Sequence, residues 1–201
     1  MTAACTDVTL VPAHGGETLP VPDMSKLTFA QDAALAIVVS GSDESVPDTS
    51  VIRLVNTRTG VRHLVASSET GSFGTHVDGT QMGDTLQIAV LDSTRESDPI
   101  ELLLAFVGQR PPVPSNIVIN DGPDPHTRMI SGAFVAETRP IMARLVNVSS
   151  SDVVDVPTSA DGDGRHLVAV IDVVPGQTLT LFGFDPAQSR TTGPFVTIVI
   201  E

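Results

Sequence analysis

Along much of this chain apolar residues recur at every second position. Leu86, Ile88 and Val90 alternate with Thr85, Gln87 and Ala89, and Leu179 and Leu181 alternate with Thr178 and Thr180. Val196, Ile198 and Ile200 alternate with Thr197 and Val199. A period of two gives a strand one buried face and one wet face. Further strands are expected at Leu35–Ser40, Val51–Asn56, Val61–Ala66 and Pro99–Val107. Others are expected at Asn116–Asn120, Arg128–Phe134, Ile141–Val148, Val153–Pro157 and His166–Val173. Turn signals separate them: Met82-Gly83-Asp84, Asp121-Gly122-Pro123, Asp161-Gly162-Asp163-Gly164 and Pro175-Gly176. No segment sustains a helical period. The pattern predicts an all-β protein.

The pattern also repeats. Arg53-Leu54-Val55-Asn56 recurs as Arg144-Leu145-Val146-Asn147, and Ser40-Gly41 as Ser131-Gly132, both at an offset of 91. Pro20-Val21-Pro22 matches Pro112-Val113-Pro114 at 92, and Gly83-Asp84-Thr85-Leu86 matches Gly176-Gln177-Thr178-Leu179 at 93. The matches keep their order, which points to a duplicated unit with a small loop insertion in the second copy. Gln109-Arg110-Pro111-Pro112-Val113-Pro114 marks the boundary, because missing N–H groups and a fixed φ stop a strand from continuing. The expected organisation is an arm or first strand over residues 1–19, module one over 20–110 and module two over 111–201. About seven short strands in about ninety residues is the rhythm of an immunoglobulin (Ig)-like β-sandwich, so two tandem sandwiches are expected.

One stretch carries a family resemblance. Ala66, Thr70-Gly71-Ser72-Phe73, Gly83-Asp84-Thr85-Leu86-Gln87-Ile88, Asp92 and Ser97 follow one another in order. This resembles the later half of bacterial Ig-like domains, in which Gly relieves a turn, Phe plugs the sandwich and Gly-Asp opens the next strand. Thr70 stands where the family has Asp. In the second copy only the Gly-x-Thr-Leu opening is clear, with His166 expected where Phe73 would fall. The chain has one Cys and no Trp, so the disulfide and core Trp of antibody domains are not available.

Composition narrows the core and the partners. Aromatic residues make up 3% of the chain, with seven Phe and no Tyr, so the core must be aliphatic. Its β-branched residues suit strands, where their stiff χ1 is cheap. The net charge of −13, spread as −2, −6 and −5 over arm and modules, with a single Lys (Lys26), disfavours nucleic acid and anionic membranes. No apolar stretch approaches the roughly 20 residues that span a bilayer.

Candidate chemistry is sparse. His14, His63, His76, His126 and His166 show no metal-ligand spacing, and none neighbours Cys5. Asp161-Gly162-Asp163-Gly164 resembles the start of a calcium loop, yet Arg165 and His166 break the EF-hand pattern. A looser calcium site is conceivable from Asp161 and Asp163 with Asp152 or Asp155, although Asp-Gly pairs also simply make turns. There is no G-x-S-x-G elbow and no Gly-rich phosphate loop, and Ser42 lacks a strand-to-helix context. Catalytic residues and cofactors are therefore expected to be none. Thr2-Ala3-Ala4-Cys5 resembles the end of a lipobox without the apolar segment that should precede it.

The functional expectation is a non-enzymatic structural or decoration component of a large particle, a phage virion or related injection apparatus. Ig-like modules in bacteria ordinarily act outside the cell, whereas Met1–Leu10 lacks the basic start and apolar run of an export signal. A virion protein meets both conditions. Asp7-Val8-Thr9-Leu10-Val11 is strand-like and suits addition to a sheet edge of a protein partner, or else forms the first strand of module one. The alternative is a bacterial surface adhesin or lipoprotein stalk.

Overall fold

The computed structural model of the protein describes residues 18–162 and 164–201. Sixteen strands carry nearly all of the regular structure, with one 3-10 turn at Met24–Lys26 capped by the Asp23 side chain. β1 (Leu27–Gln31), β2 (Ile37–Gly41) and β5 (Phe73–His76) form one antiparallel sheet in the order β1-β2-β5. β3 (Val51–Asn56), β4 (Arg62–Ala66), β6 (Thr85–Leu91) and β7 (Ile100–Leu103) form a second, in the order β4-β3-β6-β7. Leu27, Phe29, Val39 and Phe73 from the first sheet meet Ile52, Leu54, Leu86 and Ile88 from the second in one buried core.

The remaining strands repeat this plan. β8 (Ser115–Asp121), β9 (Thr127–Val135), β12 (Ser159–Asp161) and β13 (Gly164–Asp172) form the sheet β12-β13-β9-β8. β10 (Met142–Asn147), β11 (Val153–Pro157), β14 (Thr178–Asp185), β15 (Gln188–Thr192) and β16 (Val196–Val199) form the other. In it β14 pairs first with β16 and then with β15, where the register shifts between Phe184 and Asp185. Ile130, Phe134, Leu145, Leu167, Leu179 and Leu181 build the second core.

The paired repeats fall at matching places. Gly41 lies opposite Phe73 and Gly132 opposite Leu167, so the counterpart of Phe73 is Leu167, not His166. The insertion precedes β13, and a core-facing apolar residue is kept while His166 turns to the other face.

One expectation from the alternating pattern fails informatively. Thr180 occupies what should be the wet face of its strand, yet it is fully buried, as is Thr28 on β1. β1, β2, β10 and β14 are buried on both sides. Their second faces press against each other, so the β1-β2-β5 sheet of the first sandwich lies on the β11-β10-β14-β15 sheet of the second. Ala30, Val38, Val146, Val153, Phe182, Phe184 and Phe195 form a third apolar cluster between them.

The Pro-rich segment carries no strand, as its chemistry requires, but it is not loose. Arg139 Nη1 donates to Gln109 O at 2.6 Å, and Arg110 Nε donates to Thr192 O at 2.9 Å. The Arg110 guanidinium lies 3.6 Å from the Phe106 ring centroid, a cation–π contact.

Candidate functional site

A buried polar site lies in the contact between the sandwiches. Arg144 projects from β10 away from its own core and is 2% exposed. Its Nε and Nη2 donate to the two oxygens of Asp155 on the neighbouring β11 at 2.7 and 2.6 Å. This fork-on-fork geometry is the strongest pairing a guanidinium makes. The remaining nitrogen, Nη1, crosses to the first sandwich and donates to Thr28 Oγ1 at 2.5 Å and Ser40 Oγ at 3.3 Å. Those two hydroxyls lie 3.1 Å apart. The Phe184 ring covers the guanidinium at 4.9 Å. Further hydrogen bonds fasten the same contact: Thr192 Oγ1 donates to Phe29 O at 2.5 Å, and Ser72 Oγ to Ser151 O at 3.2 Å. Close approach needs Gly74, whose absent Cβ would lie 2.0 Å from Val146 Cγ1.

A second kind of polar centre occurs twice and explains two of the repeated motifs. Asn56 ends β3, and its Oδ1 accepts from the N–H groups of Arg58 and Thr59 at 2.9 and 3.2 Å. Its Nδ2 donates to Asp84 Oδ2 at 2.7 Å, and that carboxylate also accepts from Gln81 N at 3.0 Å. Asn147 does the same at the end of β10, taking Ser149 N and Ser150 N and donating to Gln177 Oε1 at 3.0 Å. Gln177 in turn accepts from Val174 N at 3.0 Å. The repeated Asn and the repeated Gly-[Asp/Gln]-Thr-Leu opening are thus two halves of one clasp joining neighbouring turns. In the first copy Arg58 adds a fork onto Asp84 at 2.5 and 2.8 Å. That guanidinium, with Asn56 and the Gln81 amide, holds the Asp84 carboxyl well below the usual range against the cost of burial. Arg139 likewise lowers the pKa of buried Glu137. These groups hold turns together, and Glu137 and Arg139 also line an open groove with Arg110 and Pro112.

The residues singled out from sequence are scattered. Asp161 is exposed at the end of β12, 3.8 Å from His166 Nε2, and Asp163 lies outside the described residues. Asp152 accepts from Ser150 Oγ at 2.5 Å, on the far side of β11 from Asp161. Asp155 is committed to Arg144. Among the described residues no group of three His, Cys, Asp or Glu side chains could hold a metal ion. His63 meets Asp78 O at 3.2 Å, and His76 packs on Phe195 across the sandwich contact. His14, Cys5 and the segment Asp7-Val8-Thr9-Leu10-Val11 lie outside the described residues. Leu19 and Pro20, near the start of the described residues, line a groove of about 560 Å³ with Pro47, Val51 and Leu91. No helix of the described residues is long and apolar enough to cross a membrane.

The order of strands decides the architecture: β1-β2-β5 against β4-β3-β6-β7 is a seven-stranded antiparallel sandwich with crossed connections, and the second half follows the same scheme. The fold is Ig-like. No protein-family model and no curated protein matches the chain. Similar solved structures include a biofilm-associated protein BSP domain, at 19% identity and TM-score 0.34, covering 87% of this chain. The chain spans 29% of that protein's length. A two-domain fibronectin type III segment of chicken tenascin matches at 13% identity and TM-score 0.30, covering 90% of this chain and 99% of the segment. The chicken interferon gamma receptor alpha chain matches at 10% identity and TM-score 0.29, with 91% and 99% covered. The Ig-like assignment rests on the strand order and the two cores described above.

Proposed function

We propose that this Ig-like chain is a non-enzymatic structural component of a large particle, a phage virion or related injection apparatus. The observation that carries the reading is the face-to-face clamp. A buried polar constellation, Arg144 with Asp155, Thr28 and Ser40, is spent on holding one sandwich against the other. A clamped pair presents fixed surfaces at a fixed spacing, which a lattice component needs and a flexible tether does not. The modules correspond to residues 20–110 and 111–201, and the arm over 1–19 docks on a protein partner. Asp7, Val8, Thr9, Leu10 and Val11 add to a partner's sheet edge through main-chain hydrogen bonds. Support for the arm comes from its strand-like sequence and from Leu19 and Pro20 lining an open groove beside the ends of β3 and β6.

Fractionation of the native source tests this reading. Co-sedimentation with phage-sized or sheath-like particles is the expected result. Recovery with the cell envelope, behind a cleaved export signal, would replace it with the surface-adhesin reading. Deleting residues 1–14 separates the arm's role: unchanged folding with lost assembly is expected, whereas lost folding would make the arm part of module one.

A further inference from the structure

The contact between the sandwiches joins two different faces. The second sandwich uses its β11-β10-β14-β15 face, and the first uses its β1-β2-β5 face. Because the two are repeats, the chain keeps one unused copy of each: the β4-β3-β6-β7 face of the first sandwich and the β12-β13-β9-β8 face of the second. A pairing of unlike faces is not self-complementary, so it propagates from copy to copy until it closes into a ring or runs on as an open row.

The free faces carry the marks of the used ones. The Arg144 and Ser40 that meet in the clamp have repeat counterparts, Arg53 and Ser131, which take no part in it. Arg53 stands on the free face of the first sandwich, paired with Glu96, with its Nε buried and without an acceptor. Ser131 stands on the free face of the second, in register with Val118 and Val168. Both faces expose apolar side chains, at positions other than those of the clamp: Leu64 stands where the clamp has Asp155, and Val118 where it has Thr28. Leu64, opposite Arg53, is 66% exposed, and Val51 shares its face. Val168 is 60% exposed, and Val118 and Val170 beside it are exposed too.

The second contact cannot copy the first atom for atom. Val168 occupies the position of Gly74, where even a Cβ would overlap the facing valine. On the opposing face Val55 stands in the place of Val146, while Ala89, fully buried, lies opposite Arg53 where Phe182 lies opposite Arg144.

We infer that the free face of the first sandwich binds the free face of the second sandwich of another copy of this chain, building an open row or a ring. The inference rests on the reading of the chain as an assembly component and names its partner. The net charge of −13 opposes such growth, so salt favours it.

Sedimentation velocity of the purified full chain at rising concentration and salt tests the inference. Mass should climb above that of one chain. Leu64→Lys and Val168→Lys, both at exposed positions, should each hold the chain at a single copy with an unchanged circular dichroism spectrum and melting temperature. An equimolar mixture of the two variants should form a complex of two chains and stop, since each retains one intact and complementary face. A chain that stays single at all concentrations and salts overturns the inference, as does a mixture that stays single, or an assembly that survives both substitutions. Failure here leaves the fractionation result untouched, so the two readings fall separately.

Discussion

Removing either member of the Arg144–Asp155 pair deletes the same ion pair, but the costs should differ. Asp155→Ala strands a guanidinium that is 2% exposed, with only the Thr28 and Ser40 hydroxyls and the Phe184 ring around it. Breaking a buried pair this way costs about 3–5 kcal/mol, because an uncompensated charge is left behind. The Asp155 side chain is 25% exposed, so water enters the space it vacates and the lower end, about 3 kcal/mol, applies. Arg144→Met leaves a carboxylate that reaches solvent, keeps much of the aliphatic stem, and leaves Thr28 and Ser40 as each other's partners. Its cost should be about 1 kcal/mol, and the double variant should resemble it. With a urea slope of about 3 kcal/mol per molar for a chain this size, Asp155→Ala lowers the midpoint by about 1 M and Arg144→Met by about a third of that. Urea titrations followed by circular dichroism measure all three. Equal shifts, or a milder effect of Asp155→Ala, would refute the claim that burial of the cation dominates the site.

Three further outcomes follow from local geometry. Ser151 ends the β10–β11 turn at φ 66°, where its repeat counterpart is Gly60 at φ 73°. Ser151→Gly should raise stability by about 0.5–1 kcal/mol in the same titration, as left-handed strain is relieved. Gly74→Ala should destabilise the chain by driving a methyl into Val146, and Val146→Ala should recover most of the loss; thermal melts of the single and double variants read this. The Asp84 carboxyl has a lower pKa folded than unfolded, so its contribution is present above the unfolded value of about 3.9 and is lost as pH falls below that value towards the folded pKa. Asp84→Asn should therefore be less stable near neutrality and show a shallower loss of stability as pH falls below about 3.9.

Strand positions with a clean alternation were readable from the sequence. Val51–Asn56 and Val153–Pro157 match β3 and β11 residue for residue. Strands β12 and β15 escape because Ser159-Ala160-Asp161 and Gln188-Ser189-Arg190-Thr191-Thr192 are almost wholly polar and owe their conformation to hairpin pairing. β1 escapes for the opposite reason. Thr28 and Ala30 interrupt its pattern because their face is matched to a sheet more than a hundred residues away. The clamp hid behind the repeat itself. Arg53 and Arg144 look equivalent, and only their cross-strand neighbours, Leu64 and Asp155, tell a surface residue from a buried one. The available signal was Phe182 and Phe184, which continue β14 on the face opposite Leu179 and Leu181.

The two-sided burial of β1 and β2 has a consequence for biosynthesis. The N-terminal sandwich leaves the ribosome with Ala30, Val38, Thr28 and Ser40 facing water, because the surface that covers them has not yet been translated. At about 5–20 residues per second, some ninety further residues leave that patch bare for roughly 5–20 seconds. Over that interval a nascent chain on a neighbouring ribosome of the same message presents the same bare patch. Slow translation through the second half lengthens the exposure, so codon choice there bears on yield as directly as any residue in the core.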